Sequence, residues 1–128
     1  MNMKESAQNY LETILILSKK NGSVRSIDIA NYMNYTKASI SVAMKHLRED
    51  AYINVEANGQ ITLTEQGKQI AEMLYERHQV IAGILIALGV SEATAYEDSC
   101  KIEHDLSEES FEKIKKWLYK HHAQFKNR

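Results

Sequence analysis

Residues 26–63, "SIDIANYMNYTKASISVAMKHLREDAYINVEANGQITL", contain the pattern that identifies the fold of this chain. Ser26 and Thr36 are residue types that cap helix N-termini, and each precedes a run with apolar residues at helical spacing. Asn34-Tyr35 lies between the two runs and predicts a tight turn. The first half of the stretch therefore predicts a short helix, a turn and a longer helix over 37–50, which is a helix-turn-helix.

The second half of the stretch predicts a β-hairpin. Ile53 and Val55 alternate with polar residues, and so do Ile61 and Leu63. Asn58-Gly59 lies between these segments, and this pair is typical of a two-residue type I′ turn. A hairpin directly after a helix-turn-helix is the pattern of a winged helix, a DNA-binding module.

The remaining sequence predicts further helices. A first helix over 5–20 ends at Asn21-Gly22, and a long fourth helix begins after Thr64 and runs to about Leu88. A fifth follows over 92–105 and a sixth after Ser107, while the last residues, 120–128, are expected to fray. The predicted fold is mainly α: a winged helix-turn-helix DNA-binding domain at 1–72 and a second, helical domain at 73–128.

Composition narrows the class of protein. The chain has 128 residues, a formal net charge of −1 and a single cysteine, so an internal disulfide is impossible and a cytoplasmic setting is favoured. The start "MNMKESAQNY" is polar where a signal peptide would be apolar. The longest apolar run, Val80 to Val90, is too short for a membrane span, so no membrane association is expected. With Ile102 and Leu106 it predicts either a buried core or the interface of a homodimer.

The predicted second helix of the helix-turn-helix has a polar, basic face. Recognition helices place their first residues in the major groove of double-stranded DNA, where hydroxyl and basic side chains contact phosphates and base edges. The start of the preceding helix can bind a phosphate, and the hairpin tip can reach the flanking backbone. The candidate DNA-binding residues are Arg25, Ser26, Thr36, Lys37, Ala38, Ser39, Ser41, Lys45, Asn58 and Gln60.

A second cluster suggests metal binding. Cys100, Glu103 and His104 are expected on one face of the fifth helix, because residues three and four apart are neighbours there. A thiolate, a carboxylate and an imidazole suit a divalent transition metal. Further donors could come from Asn9 and Glu12 on the first helix and from His78 on the fourth. A solvated Glu-His pair beside a small buried cysteine is the alternative interpretation.

The element order, "YERH" at 75–78 and "C-x-x-E-H-x-L-S" at 100–107 resemble the diphtheria-toxin-repressor family of metal-dependent transcriptional regulators, in its short two-domain form. The resemblance implies that the helical domain at 73–128 is a metal-binding and dimerisation domain. It also implies a homodimer in which a metal ion links the first helix to that domain. It also implies repression of metal-uptake genes at a palindromic operator. Residue by residue, the implied metal ligands are Asn9, Glu12, His78, Cys100, Glu103 and His104.

The chain departs from both patterns of that family. Manganese-type members usually have aspartate where this chain has Asn9 and glutamate where it has Cys100, whereas iron-type members have methionine and cysteine. A cysteine ligand is softer than a carboxylate and moves preference from Mn²⁺ towards Fe²⁺, Co²⁺ or Zn²⁺. Fe²⁺ is therefore slightly favoured over Mn²⁺, with Co²⁺ or Zn²⁺ able to bind in vitro.

Two other functions fit parts of the sequence. A winged-helix regulator could respond to another signal, such as thiol oxidation at Cys100. A small metalloenzyme could use Glu103 as a base, but no pattern in the chain indicates a substrate pocket. We therefore expect neither enzyme activity nor a small-molecule substrate.

Overall fold

The computed structural model of the chain describes residues 3–125. The chain divides into two compact units, Met1–Met73 and Leu74–Arg128. The elements follow the order α1 (Glu5–Asn21), α2 (Ser26–Met33), α3 (Lys37–Glu49), β1 (Ile53–Val55), β2 (Ile61–Leu63), α4 (Glu65–Ala87), α5 (Glu92–Ile102), α6 (Glu108–His121) and a 3₁₀ turn, Ala123–Phe125. Within residues 3–125, no helix combines the length and apolarity needed to cross a membrane.

The helix-turn-helix of the first unit forms as predicted, with one difference at its start. Ser26 is the first residue of α2 and Arg25 takes the capping position, because the Asp28 carboxylate accepts the Arg25 backbone N–H at 2.9 Å. Asn34 has a left-handed φ of 58°, and the Tyr35 N–H returns to the Ala30 carbonyl at 3.0 Å. The left-handed Asn34 and this hydrogen bond together close the turn between α2 and α3.

α3 is capped and packed as its sequence predicts. The Thr36 hydroxyl accepts the Ser39 backbone N–H at 3.2 Å, which confirms Thr36 as the N-cap. Ile40, Met44 and Leu47 form the buried stripe of the helix. The opposite face of α3 is left on the protein surface, where a ligand can reach it.

The β-hairpin is present, but its predicted type I′ turn is wrong. β1 pairs antiparallel with β2, and Val55 lies opposite Ile61. Glu56 N–H donates to the Gln60 carbonyl at 2.9 Å, and Gly59 N–H donates to the Glu56 carbonyl at 2.8 Å. Gly59 has a positive φ and its neighbour Asn58 does not, whereas a type I′ turn needs both. The connection is instead a three-residue loop with the glycine in the left-handed position.

The second unit has its own apolar core. Val80 of α4, Phe111 and Leu118 of α6, and Phe125 of the 3₁₀ turn are its buried members. Leu106 and several α4 residues pack against this cluster, so much of the Val80–Val90 run is intramolecular core, while Leu88 is 72% exposed. The expected fraying of the last residues is wrong as far as Phe125, because this ring is buried; residues 126–128 lie outside the described part of the chain.

Candidate nucleic-acid interface and metal centre

The residues of α3 that are predicted to contact DNA lie on the outer, exposed face of this helix. Lys37, Ala38, Ser41 and Lys45 are all exposed on this helix. Lys37 and Lys45 supply positive charge for phosphates, and the small Ala38 and Ser41 leave space for close approach of the backbone. This helix therefore presents its polar face to solvent while its apolar stripe is held in the core.

Thr36 and Ser39 form a local network at the start of α3. Their hydroxyl oxygens are 2.8 Å apart, and the Ser39 hydroxyl also donates to the Thr36 carbonyl at 3.0 Å. Both residues are exposed, so their remaining lone pairs face solvent. The two hydroxyls thus hold the helix end that would enter the groove, in addition to being candidate contacts.

Val42 is a surface residue of α3 that the sequence pattern did not bring into the candidate set. Its side chain is 56% exposed and it lies four residues after Ala38 and three before Lys45, on the same face of the helix. An exposed apolar residue on a recognition helix can contact a thymine methyl group. Its position outside the Ile40–Met44–Leu47 stripe was the available signal.

The flanking candidates are placed differently from one another. Arg25 is exposed and Ser26 is half-buried, and the Asp28 carboxylate accepts the backbone N–H of Arg25, the capping residue before α2. The side chain of the exposed Arg25 carries the positive charge that suits a phosphate. At the hairpin tip Asn58 is exposed, and its Oδ1 accepts the backbone N–H of the half-buried Gln60 at 2.9 Å.

In the second unit, polar donors converge on His78 of α4. His78 Nδ1 lies 2.7 Å from Ser99 Oγ, 3.0 Å from Glu103 Oε2 and 3.7 Å from Cys100 Sγ. Packing of α4 beside α5 therefore brings an imidazole, a hydroxyl, a carboxylate and a thiol to one place. Three of the predicted metal ligands of this unit are among them.

Glu103 lies between two histidines. Its Oε2 faces His78, and its Oε1 is 3.4 Å from His104 Nε2. The Glu103 side chain is fully buried, and those of His104 and His78 are only 3% and 13% exposed. Burial of a carboxylate is costly unless it is paired, and the two imidazoles are the groups placed to pair with Glu103 in this arrangement.

The end of α5 differs from the prediction. The helix ends at Ile102, so His104 and Asp105 belong to the following turn and not to a helix reaching residue 105. Glu103 keeps helical dihedral angles, and its N–H donates to the Ser99 carbonyl at 3.0 Å. The shared helical face thus holds for Cys100 and Glu103, whereas the turn places His104.

Ser99 is a buried neighbour of the histidine that the sequence pattern missed. Its hydroxyl donates to the Tyr96 carbonyl at 2.9 Å, so its oxygen accepts hydrogen from His78 Nδ1. The His78 ring also packs 5.4 Å from the Tyr96 ring, between centroids. Serine occurs in helices too often for the position of Ser99 in the sequence to indicate this role.

Asn9 and Glu12 belong to the first unit. Both lie on α1, where Asn9 is half-buried and Glu12 is 6% exposed. Their participation with the His78 cluster stays a prediction. Cys100 is exposed and is a free thiol.

The donor set in the second unit fits a divalent transition metal. Imidazole nitrogen, thiolate sulfur and carboxylate oxygen are ligands for Zn²⁺, Fe²⁺ and Co²⁺, and Mn²⁺ accepts carboxylate and imidazole. The pairing of His78 and His104 with a carboxylate also resembles the outer contacts that orient metal-binding histidines. These residues can therefore hold a metal ion or form a buried polar network.

Two family models match almost the whole chain. The model "Iron dependent repressor, N-terminal DNA binding domain" matches residues 2–60, and "Iron dependent repressor, metal binding and dimerisation domain" matches residues 64–123. These descriptions assign DNA binding to the winged-helix part of the chain. They assign metal binding and dimerisation to the part that contains the His78 cluster.

Two relatives resemble the chain over most of its length. An uncharacterised HTH-type transcriptional regulator of Methanocaldococcus jannaschii is 34% identical over 92% of this chain and 96% of its own. The HTH-type transcriptional regulator MntR of Geobacillus thermodenitrificans is 33% identical over 85% of this chain and 77% of its own.

Solved structures agree on the fold. The manganese regulator SloR is 25% identical with a TM-score of 0.78, over 91% of this chain and 54% of that one. IdeR of T. acidophilum is 22% identical with a TM-score of 0.79, over 92% of this chain and 55% of that one. This chain therefore spans about half the length of both structures.

Members of the family are regulators and not enzymes, which excludes the metalloenzyme alternative. The chain belongs to the iron-dependent repressor family (the diphtheria-toxin-repressor family) of metal-dependent transcription regulators, which bind DNA and dimerise.

Proposed function

We propose that this protein represses metal-ion uptake genes in the cytoplasm when it binds Fe²⁺ or Mn²⁺. The observation that carries the proposal is the convergence of Ser99, Cys100 and Glu103 on one nitrogen of His78. A buried carboxylate between two imidazoles, beside a thiol, is a donor set that binds a divalent transition metal in preference to magnesium or calcium.

The proposed metal ligands are the sequence-predicted residues of both units. In the second unit these are His78, Cys100, Glu103 and His104, and in the first unit they are Asn9 and Glu12. A bound divalent ion would be the largest local charge among these donors. Because ligands from both units would bind the ion best in one arrangement, metal binding would favour that arrangement over others.

The proposed DNA partner is a palindromic operator bound by a homodimer. A two-fold symmetric dimer presents two recognition helices, and half-site spacing then follows from the distance between them. The exposed α3 face with Lys37, Ser41 and Lys45 would enter the major groove, with Arg25 and Asn58 near the backbone. A dimer is favoured also because one small module reads too few bases to bind tightly.

Metal titration of operator binding tests the proposal. The operator is found by selecting protein-bound sequences from a random library, and its affinity is measured anaerobically with Mn²⁺, Fe²⁺, Co²⁺, Zn²⁺ or chelator. We expect a metal-dependent gain in affinity, greatest with Fe²⁺ or Mn²⁺. Equal affinity with chelator and with every metal would refute metal-dependent repression.

Matched variants separate the site from general charge effects. Glu103→Gln removes the buried carboxylate's charge, whereas Glu109→Gln makes the same change at an exposed residue of α6. We expect Glu103→Gln to abolish the metal dependence of operator binding and Glu109→Gln to leave it unchanged. For DNA binding, Lys45→Ala on α3 should weaken binding, and Lys113→Ala on α6 should have little effect.

The preference between Fe²⁺ and Mn²⁺ depends on Cys100 and Asn9. The paired substitution Cys100→Glu with Asn9→Asp replaces a soft sulfur and a neutral amide by carboxylates, which favour Mn²⁺. We expect the variant to respond to Mn²⁺ at lower concentration than the unsubstituted protein, relative to Fe²⁺. An unchanged ratio would contradict a role for Cys100 in metal choice. Oxidation at Cys100 has no support from the relatives.

A further inference from the structure

Arg77 is a buried arginine next to His78 in the sequence. Its side chain is on α4, is 8% exposed, and reaches the segment that follows α5. Its Nη1 donates to the Glu103 carbonyl at 3.1 Å and to the Leu106 carbonyl at 2.5 Å. The guanidinium carbon also lies 5.2 Å from the centroid of the Phe111 ring.

The carbonyls that Arg77 binds belong to the turn that carries the metal-ligand candidates. The last carbonyls of a helix have no partner within it, and α5 ends at Ile102. The turn that follows is closed by a hydrogen bond from Asp105 N–H to the Ile102 carbonyl, at 3.1 Å. A positive charge near a helix C-terminus is favourable, and bonds from a charged donor are stronger than neutral ones. Arg77 therefore stabilises the backbone conformation of the turn that contains Glu103 and His104.

Two consecutive residues of α4 contact Glu103, one at its main chain and one at its side chain. Arg77 binds its main-chain carbonyl, and His78 faces its side-chain carboxylate at 3.0 Å. Movement of the 103–106 backbone would therefore move the carboxylate relative to the imidazole. His104 follows on the same turn and would move with it.

Simple stabilisation explains Arg77 less well. A buried charge is an expensive way to stabilise a core, and an apolar residue of similar size often serves as well. The Arg77 Nε–H is buried and has no hydrogen-bond partner among residues 3–125. This incomplete satisfaction favours a role that depends on where the guanidinium places the turn.

We infer that Arg77 is a positioning residue for the metal centre, acting through the backbone of Glu103 and Leu106. The inference rests on the proposed metal-binding function. Arg77 contacts the ligand-bearing turn and supplies no ligand itself. Outer contacts of this kind are worth about 10- to 100-fold in metal affinity.

Cobalt binding tests the inference in the full-length protein. Co²⁺ is titrated anaerobically and followed by its visible absorption, which reports ligand geometry. Arg77→Met should lower Co²⁺ affinity about 10- to 100-fold and alter the absorption bands. Arg77→Lys keeps the charge but not the planar fork, and should restore only part of the affinity.

A control measures the effect of general destabilisation. Lys115→Met removes the 2.8 Å ion pair between α6 and Glu76 of α4, in the same unit and on the residue adjacent to Arg77. We expect this variant to keep Co²⁺ affinity and absorption bands, even if its melting temperature falls as far as that of Arg77→Met. Without metal, amide exchange at residues 103–107 should accelerate in Arg77→Met and not in the control.

The outcomes separate the two proposals. Normal Co²⁺ binding by Arg77→Met, or equal losses in Arg77→Met and Lys115→Met, would overturn the inference and leave the proposed function intact. If Arg77→Met does not fold, the affinity and amide exchange of Arg77→Lys decide in the same way. If the unsubstituted protein fails to bind Co²⁺, both the proposed function and the inference fall.

Discussion

Gly67 allows close packing between the start of α4 and the segment before β1. A Cβ atom at Gly67 would lie 2.1 Å from the Tyr52 carbonyl oxygen and 3.0 Å from its carbonyl carbon. The same oxygen accepts the Thr64 N–H at 3.1 Å, so it is held in place by the N-cap residue of α4. Gly67→Ala would therefore place a methyl group against backbone that no side-chain rotation can move away.

The magnitude follows from three contributions. Relief of the contact requires the two atoms to separate by about 1 to 1.5 Å, a backbone shift that costs about 1–3 kcal/mol. Weakening of the Thr64–Tyr52 hydrogen bond adds about 1 kcal/mol. The helix propensity of alanine offsets up to about 1 kcal/mol. We expect Gly67→Ala to lower the free energy of unfolding by about 1–3 kcal/mol.

Urea unfolding followed by far-UV circular dichroism measures this change. With a slope of about 1–3 kcal/mol per molar urea, the midpoint should fall by about 1 M. Gly83→Ala, also in α4, is the control, because its Cβ would meet side chains of Phe125 and Leu118 at 3.0 and 3.1 Å. Those side chains need to shift by only a few tenths of an ångström. The helix propensity of alanine offsets about 1 kcal/mol of the cost, so a net change below about 1 kcal/mol is expected. A Gly67→Ala protein as stable as the unsubstituted one would refute the proposed contact.

Three further predictions concern the cap of α3, an ion pair and the end of the chain. Thr36→Ala removes the acceptor of the Ser39 N–H and should cost about 0.5–2 kcal/mol in thermal or urea unfolding, whereas Thr36→Ser should cost less. The hydrogen bond to Glu76 raises the pKa of Lys115 above 10.5, so the pair should stabilise the fold below that pH and lose its effect as pH rises through the folded-state pKa; Glu76→Gln should abolish this alkaline dependence of the melting temperature. Phe125→Ala should destabilise the second unit by about 3–5 kcal/mol, and an unchanged melting temperature would contradict the burial of this ring.

Much of the first unit could be predicted from sequence because its signals are local. Thr36 caps α3 through a residue three positions away, and Ile40, Met44 and Leu47 recur at helical spacing. The loop of the hairpin was mispredicted because Asn58-Gly59 permits two connections. Pairing of Val55 with Ile61, followed by the hydrogen bond from Glu56 N–H to the Gln60 carbonyl, leaves three loop residues, and this register decides between them.

The candidate metal centre could be predicted as a set of residue types, but not as a geometry. Cys100, Glu103 and His104 attract attention because three donors lie within five positions. α5 ends at Ile102, and carbonyls of the turn that follows are bound by Arg77, a residue of another helix. No local pattern around residue 102 reveals that partner.

Periodicity, caps and residue types act over a few positions, so they are enough to predict the order of the elements, the polar face of α3 and the chemistry of the donor residues. The folding of the chain in three dimensions settled that His78 meets Ser99 and Glu103, which are 21 and 25 residues further along the chain. It also decided that Arg77 binds the turn carrying Glu103. Contacts at such separations depend on how α4 packs beside α5, and that packing is the sum of many weak apolar contacts that no short stretch encodes.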